Sequence, residues 1–319
     1  MFAVQKTALL LLASLLLPLA IKAATVAQAK SITYRGWPQC WILDNGSVSA
    51  VIVPAIGRVV QFGFCNKPGV FWENDSLAGK SAVNAPWNNP GSFGGDKTWP
   101  APQSEWTWPP PAVFDQTPME CMPNGMGEVL LVSIVCPRSG IRVERLISLH
   151  PTRSQMRIVT TYHKVTGDPV EVSIWTLTQL REPLKTFLAI RPKSSLETEY
   201  TASTDGAESF FQVAKRWISI TRDPAADHTL GSDATQILWV SEHNCLKIDS
   251  PRISTARYPE KGAGVRVFTN GNPARFVEAQ TLSPLQTLSV GDSLSATNTY
   301  SLFHRSRRKP DAEAMALLK

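Results

Sequence analysis

Two glutamates in the second half of the chain have surroundings that suit acid–base chemistry. Glu278 lies in the alternating segment FVEAQ, and Glu182 follows directly after another strand-like segment. A carboxylate that is shielded from water holds a proton more readily and can serve as a general base. Alternation places Phe276, Glu278 and Gln280 on one face of the predicted strand. The alternative is that this face is solvated and Glu278 is an ordinary strand residue.

A second concentration of functional residue types lies between Ala85 and Pro111, where four tryptophans and seven prolines occur. Tryptophan faces stack on the C–H face of a sugar ring, while charged and amide side chains hold its hydroxyls. Prolines remove strand hydrogen bonds, so this composition argues against a central strand. The alternative is a loop that caps one end of the fold with its tryptophans as core. The saccharide contacts predicted from this segment are Asp96, Lys97, Trp99, Gln103 and Trp108.

Common motifs for metal and nucleotide chemistry are missing from the chain. It has no HExxH, GxSxG, P-loop or EF-hand pattern, and no CxxC pair. Its five histidines show no metal-ligand spacing. We therefore predict no metal and no cofactor. His163 lies in a strand-like segment and is interpreted as a structural histidine, with a position lining a pocket as the alternative.

The elements that must position these residues are predicted to be strands. Short segments rich in β-branched residues alternate with turn signals such as Asp44-Asn45-Gly46, which is typical of an all-β sandwich or barrel. One domain over residues 30–304 is the simplest interpretation. The predicted strands are 48–53, 58–64, 128–136, 141–149, 156–164, 170–180, 210–221, 235–241, 264–269, 274–281 and 294–303.

The first 29 residues have the pattern of a secretory signal. Lys6 precedes an apolar run of 14 residues, Ala8 to Ile21, which is shorter than a membrane span requires. Small residues in Ala27-Gln28-Ala29 predict cleavage after Ala29. We therefore expect a periplasmic or extracellular protein with no stable membrane span once the signal is removed. An uncleaved amphipathic anchor is the alternative.

Five cysteines follow the predicted signal, and an exported protein can form disulfides. Five is an odd number, so at least one thiol is left unpaired. Cys121 and Cys136 flank a predicted hairpin region and are a plausible pair. Several buried, reduced cysteines are an equally acceptable interpretation.

The formal net charge of +6 is carried largely by the chain ends. Much of it lies in a basic tail, residues 305–319, and the remainder of the chain is close to neutral. No basic stripe interleaved with aromatic residues is visible, so we expect no nucleic-acid partner.

The order of these segments resembles the galactose-mutarotase-like superfamily. Within it, the chain is most similar to an uncharacterised domain family whose hallmark resembles residues 94–103, GGDKTWPAPQ. The resemblance covers nearly all of the predicted mature chain and implies a large two-sheet antiparallel β-sandwich. A small-residue corner before Arg58 is similar to the first strands of these sandwiches. The matching C-terminal positions are Glu278, Gln280, Pro284, Leu288, Gly291 and Asp292.

The resemblance implies a catalytic role for Glu278 and also shows a departure. In mutarotases the matching glutamate is the general base that takes the proton from the anomeric hydroxyl. Their catalytic histidine, which donates a proton to the ring oxygen, lies in a strand similar to residues 170–180, where this chain has Trp175 near the expected place. His163 or Lys97 would have to replace that donor. A single acid–base partner is typically worth about 10²–10⁴-fold in rate.

Three interpretations of different classes follow. The first is an exported carbohydrate-binding protein with a saccharide ligand. The second is an isomerase of the aldose mutarotase or epimerase type with Glu278 as general base. Glycoside hydrolysis or lyase chemistry is a further enzymatic alternative with less support from the residues. The third is a structural protein with no sugar ligand. For the binding protein, the predicted stacking residues are Trp99, Trp108 and Trp175, and the predicted hydroxyl contacts are Arg58, Asp96, Lys97, Gln103 and Gln179.

Overall fold

The computed structural model of the chain describes residues 27–81, 93–115, 117–124, 127–202, 210–271 and 273–318. Most of the predicted signal segment, and Trp87 in the tryptophan-rich segment, lie outside the described residues. The first strand starts at Gln28, so the residues around the predicted cleavage site pair with the next strand.

The described residues form 21 strands and two short α-helices. The helices are α1 (Ala112–Asp115) and α2 (Pro310–Leu317), and none has the length and apolar composition needed to cross a bilayer. The first strands are β1 (Gln28–Tyr34), β2 (Trp37–Asp44), β3 (Val48–Val53), β4 (Arg58–Phe64), β5 (Asp96–Ala101), β6 (Glu120–Asn124), β7 (Glu128–Val135), β8 (Ile141–Leu149), β9 (Gln155–Lys164) and β10 (Val170–Arg181). The others are β11 (Lys185–Ala189), β12 (Thr201–Ala202), β13 (Phe211–Val213), β14 (Trp217–Ile220), β15 (His228–Ser232), β16 (Gln236–Val240), β17 (Asn244–Asp249), β18 (Val265–Thr269), β19 (Phe276–Leu282), β20 (Gln286–Leu288) and β21 (Ser293–His304).

These strands form two antiparallel sheets that face each other. An 11-stranded sheet has the order β1-β2-β3-β4-β5-β10-β19-β18-β15-β12, with β20 also paired to β10. A 10-stranded sheet has the order β13-β14-β11-β16-β17-β21-β9-β8-β7-β6. The predicted two-sheet antiparallel β-sandwich is confirmed.

The alternation of side chains along each strand accounts for the sandwich. In β8, buried and partly exposed residues alternate from Ile141 to Leu149, as expected for a strand with one face against the core. By contrast, every residue of β19 is buried, so both faces of this central strand are covered. Polar side chains on the outer side of β19 are therefore shielded from water as well.

Two glycine turns fix where β3 and β4 begin. Gly46 has a φ of 82° and its N–H donates to Asp44 Oδ1 at 2.6 Å, which starts β3 at Val48. Gly57 has a φ of 63° after a 3₁₀ turn at Pro54–Ile56, and it delivers Arg58 as the first residue of β4. A side chain is strained at such positive φ values, so glycine suits both turns.

Most predicted strands have observed counterparts, and β3, β4 and β8 have the predicted bounds. The segment 210–221 differs, because it forms two short strands, β13 and β14, around a turn closed by Ala214 N–H and Trp217 O at 2.9 Å. Nine of the observed strands were not predicted: β1, β2, β5, β6, β11, β12, β15, β17 and β20.

The expectation that prolines exclude a central strand is wrong for β5. This strand lies between β4 and β10 and contains Pro100. Six residues of β5 pair with β10, but only Asp96 has a recorded partner in β4, Val59. Over the described residues, the rest of β5 thus borders a neighbour on one side only, where the missing proline N–H is tolerated as at a sheet edge.

The basic C-terminal segment packs on the sandwich. Ala314 and Leu318 join a small apolar cluster on the 10-stranded sheet with Phe187 and Leu238. Glu313 is 1% exposed and accepts the N–H of Ser306 at 2.6 Å. A buried carboxylate therefore ties the start of this segment to its helix.

Candidate functional site

The candidate site lies on the face of the 11-stranded sheet that is turned away from the other sheet, here called the outer face. Register pairs Leu177 of β10 with Lys97 on one side and with Gln280 on the other. Directly paired residues share a face. Their inner-face neighbours on the same strands contact the second sheet: Thr98 bonds Tyr162, and Thr281 bonds Asn298.

Asp96 points to the inner face and is not grouped with Lys97. Its carboxylate is fully buried, forms an ion pair with Arg145 of β8, and accepts hydrogen bonds from Thr178 at 2.6 Å and Tyr300 at 2.5 Å. The predicted hydroxyl contact at Asp96 is therefore corrected, because adjacent strand residues face opposite sides. Asp96 and Arg145 join the two sheets through the core.

Glu278 is held on the outer face between two glutamine amides. Gln179 Nε2 donates to Glu278 Oε1 at 3.0 Å, and Gln280 Nε2 donates to Oε2 at 2.9 Å. Gln179 is the direct cross-strand partner of Glu278. Glu278 is 7% exposed, so the predicted solvated alternative is not what the structure has. Both glutamines therefore orient the carboxylate.

A compact ion cluster, made of Arg58, Lys97 and Asp115, lies on the same side of the sheet. Asp115 Oδ1 is 3.0 Å from Lys97 Nζ and 3.1 Å from Arg58 Nη2. Arg58 also donates to the backbone oxygens of Gly94 and Asp115. Arg58 is fully buried and Lys97 is 3% exposed, so each cation needs these partners.

Burial and charge act against each other in this ion cluster. Burial lowers the pKa of Lys97, and nearby Arg58 lowers it further, while Asp115 and Glu278 oppose both. Burial also lowers the pKa of Arg58. For Asp115, burial raises the pKa, but Lys97 and Arg58, together with a hydrogen bond from Trp99, lower it to about 2. Asp115 is therefore an anion that fixes two cations.

Four tryptophans, here called the tryptophan cluster, lie beside this ion cluster. Trp99 makes edge contacts with Trp106, Trp108 and Trp175 at centroid distances of 5.7, 5.9 and 5.5 Å. Lys97 Nζ lies 4.2 Å from the Trp99 ring, and Trp99 Nε1 donates to Asp115 Oδ1 at 2.8 Å. Trp108 is 60% exposed, whereas the other three are buried. The core interpretation thus fits the three buried members, whereas Trp108 remains a predicted stacking residue.

Arg266 of β18, which pairs with Gln280 of β19, and Glu260 extend the outer face beyond β19. The Arg266 guanidinium lies over the Trp175 ring at 5.3 Å and bonds Glu260 at 3.2 Å. Trp175 Nε1 donates to Gln280 Oε1 at 3.3 Å. Trp175, at the place expected for the mutarotase histidine, is therefore engaged with its neighbours on the outer face.

The side chains of the remaining predicted residues do not join this group. Gln103 is exposed, and it is its backbone N–H that bonds Glu260, at 3.1 Å. His163 belongs to β9 in the opposite sheet, 3.1 Å from Glu144. Glu182 forms ion pairs with arginines at the end of β10. Of the two suggested proton donors, only Lys97 shares the outer face with Glu278.

Asp115 and Arg266 belong to the candidate site, although the sequence did not point to them. Asp115 ends a four-residue helix, where a single acid after a proline run carries no periodic signal. Arg266 is the register partner of Gln280. Alternation along the sequence could have pointed to Arg266 only if the pairing of β18 with β19 had been known. Within the described residues, no group of three His, Cys, Asp or Glu side chains forms a metal site.

No protein-family model matches the chain, and neither does any curated protein. Solved structures match in fold. A galactose mutarotase-like protein from Clostridium acetobutylicum has a TM-score of 0.56 at 10% identity, covering 88% of this chain and 99% of that one. The fold is that of the galactose mutarotase-like proteins.

Two further galactose mutarotase-like structures support this conclusion. A galactose mutarotase-like protein from Lactobacillus casei has a TM-score of 0.52 at 9% identity, covering 83% of this chain and 100% of that one. A galactose mutarotase related enzyme from Lactobacillus acidophilus has a TM-score of 0.53 at 7% identity, covering 84% and 97%. At these identities, the likeness concerns the fold alone.

Proposed function

We propose that this protein binds a saccharide on the outer face of the 11-stranded sheet. The observation that carries the proposal is Glu278, held between two glutamine amides on the same face as the tryptophan cluster. A carboxylate and amides suit sugar hydroxyls, and an exposed tryptophan such as Trp108 suits the apolar ring face. The names of the structural neighbours agree with a sugar ligand.

Charge balance on the outer face favours a neutral sugar. The cations Arg58 and Lys97 are balanced by Asp115, which contacts both, and by the nearby Glu278. Arg266 is paired with Glu260. Since the cations already have partners, an anionic ligand would have to displace one of them. A neutral saccharide only needs to exchange hydrogen bonds.

A second candidate function, mutarotation, is favoured by the placement of Lys97. Its pKa is lowered by burial, which makes it a better proton donor than a solvated lysine. Lys97 and Gln280 flank Leu177, so their backbones lie two strand spacings, about 10 Å, apart. A sugar ring held over Leu177 would therefore lie between Lys97 and the strand that carries Glu278.

The proton transfers balance in this candidate. Glu278 takes the proton of the anomeric hydroxyl, Lys97 gives a proton to the ring oxygen, and the bond between the anomeric carbon and that oxygen breaks. The open-chain aldehyde rotates and closes again with both transfers reversed. No oxidant or cofactor is needed.

Proton NMR of the purified protein with a panel of neutral aldoses tests both functions in one tube. Saturation transfer to sugar protons reports binding, and exchange between α and β anomeric signals reports mutarotation. Binding that is lost in Glu278→Gln and kept in Glu182→Gln, a carboxylate outside the site, would support the proposed site. Exchange that falls about 10²–10⁴-fold in Lys97→Met while binding persists would support mutarotation. Equal behaviour of Glu278→Gln and wild type would contradict both.

Export is a separate proposal that rests on the N-terminal pattern. We propose that the chain is cleaved near Ala29 and works in the periplasm or outside the cell. N-terminal sequencing of protein from the exported fraction checks this, and an intact Met1 in the cytoplasmic fraction would contradict it.

A further inference from the structure

A second aromatic surface lies on the outer face, on the side of Glu278 that is opposite to the tryptophan cluster. Trp72 N–H donates to Gln179 O at 2.9 Å, and Trp72 O accepts Gly95 N–H at 2.9 Å. The preceding residue, Phe71, bridges to Leu180 and lies in the core. Alternation therefore turns the Trp72 side chain to the outer face, beside Gln179.

The Trp72 ring covers Phe276. The two ring centroids are 4.7 Å apart, and Phe276 is 4% exposed. Phe276 lies two residues before Glu278 on β19, on the same face. Trp72 keeps part of its own surface in solvent. Together, Trp72 and Phe276 form what we call the Trp72 platform.

The Trp72 platform and the tryptophan cluster are too far apart for one sugar ring. Trp99 is paired with Trp175, whereas the Trp72 platform lies beside Gln179, four residues further along β10. Four strand residues span about 13 Å. A ring stacked at Trp108 therefore leaves the Trp72 platform uncovered.

Beside the Trp72 platform, on the side of Glu278, lies a buried acceptor that lacks a partner among the described residues. Gln179 is 1% exposed, and its Nε2 donates to Glu278. Among the residues that the structure describes, its Oε1 has no hydrogen-bond partner. A buried acceptor that makes no hydrogen bond destabilises the folded protein. A hydroxyl of a bound ligand would satisfy it, so Gln179 points to an occupant between the two aromatic surfaces.

Given the proposed saccharide function, we propose that the ligand is a neutral oligosaccharide of at least two rings. One ring lies against Trp108 of the tryptophan cluster, and another lies on the Trp72 platform. The linkage between them passes Glu278, and a hydroxyl near that linkage donates to Gln179 Oε1. The inference depends on the proposed function but adds the size of the ligand.

A glycan array followed by calorimetric titration tests this inference. The probes are neutral glycans of one to four rings, with the monosaccharide of each series included. We expect at least about ten-fold tighter binding of two rings than of one, which is 1.4 kcal/mol. Trp72→Ala should abolish this gain and leave single-ring affinity unchanged, whereas Trp108→Ala should weaken both. Trp72→Phe, which keeps a ring over Phe276, should retain part of the gain.

The outcomes separate the inference from the proposed function. If monosaccharides bind as tightly as longer glycans, or if Trp72→Ala leaves the length dependence intact, the two-platform arrangement is wrong while the binding function stands. If no glycan binds, the proposed function fails and the inference fails with it. Thermal unfolding of Trp72→Ala, compared with Trp72→Phe, shows whether any loss is due to misfolding.

Discussion

Lys97 Nζ lies 3.0 Å from Asp115 Oδ1, although the two residues come from a strand and a helix separated by a proline-rich segment. The same carboxylate also contacts Arg58. One anion thus fixes two buried cations on the outer face. Its removal would leave both cations without their main partner, so the stability of the site depends on Asp115.

Asp115→Asn should destabilise the protein by about 3–5 kcal/mol, because it leaves uncompensated buried charge. Urea unfolding followed by tryptophan fluorescence measures the change. Asp75→Asn is a matched control, since the Asp75 side chain is 86% exposed in its pair with Arg35. The control should change stability by less than about 0.5 kcal/mol. Equal effects of the two substitutions would show that the ion cluster is not structurally important.

Asp115 also makes the stability of the protein depend on pH, in a direction that its pKa defines. The pKa of Asp115 is about 2 in the folded protein, below its ordinary value of 3.8. Its contribution to stability is therefore fully present above about pH 4 and is lost as the pH falls towards 2. This contribution of Asp115 to the free energy of unfolding is about 2 kcal/mol, because each pKa unit corresponds to about 1.36 kcal/mol. Unfolding free energies of Asp115→Asn should vary less between pH 4 and 2 than those of the wild type.

Asp96→Asn should impair folding but not ligand recognition. The side chain lies between the sheets with Arg145, so its loss should cost about 3–5 kcal/mol. A double replacement, Asp96→Leu with Arg145→Met, should be less destabilising than the single one. Ligand affinity, measured where the single variant is still folded, should equal that of the wild type. A large change in affinity at full folding would place Asp96 in the binding site after all.

All five cysteines should be titratable as thiols in the unfolded protein. The structure has each of them free, including Cys121 and Cys136, so the predicted pair is not formed. In the folded protein, burial raises the pKa of Cys121 to about 11, and burial with nearby Asp44 raises that of Cys65 to about 11. Both should therefore react slowly with alkylating agents at pH 8, where only about one thiol in 1,000 is ionised. Intact mass before and after reduction would reveal any disulfide.

The C-terminal helix should contribute to stability through one face. Ala314 is fully buried against the 10-stranded sheet, whereas its neighbour Met315 is 64% exposed. Ala314→Asp should destabilise by more than about 2 kcal/mol, because it buries an unpaired charge. Met315→Asp should stay within about 0.5 kcal/mol. Similar melting temperatures for the two variants would mean that the helix does not pack in solution.

Local sequence signals predicted the strands that depend only on their own residues and turns. β3 and β4 have the predicted bounds because glycine turns and β-branched residues define them locally. β5 was missed because its prolines argue against a strand, and only its one-sided pairing with β10 makes Pro100 acceptable. A pairing partner far along the chain leaves no local signal.

The sequence by itself determined that the chain is all-β and that Phe276, Glu278 and Gln280 share a face, since both follow from the two-residue period of strands. Only the tertiary structure decided which face is which. In the tertiary structure, Asp96 points into the core and Lys97 points to the outer face. The reason is that the 10-stranded sheet covers one face of β5, and the candidate site lies on the opposite face. The tertiary structure also decided that Asp115 joins the site, because a hydrogen-bonded ion cluster depends on distances through space that residue order does not fix.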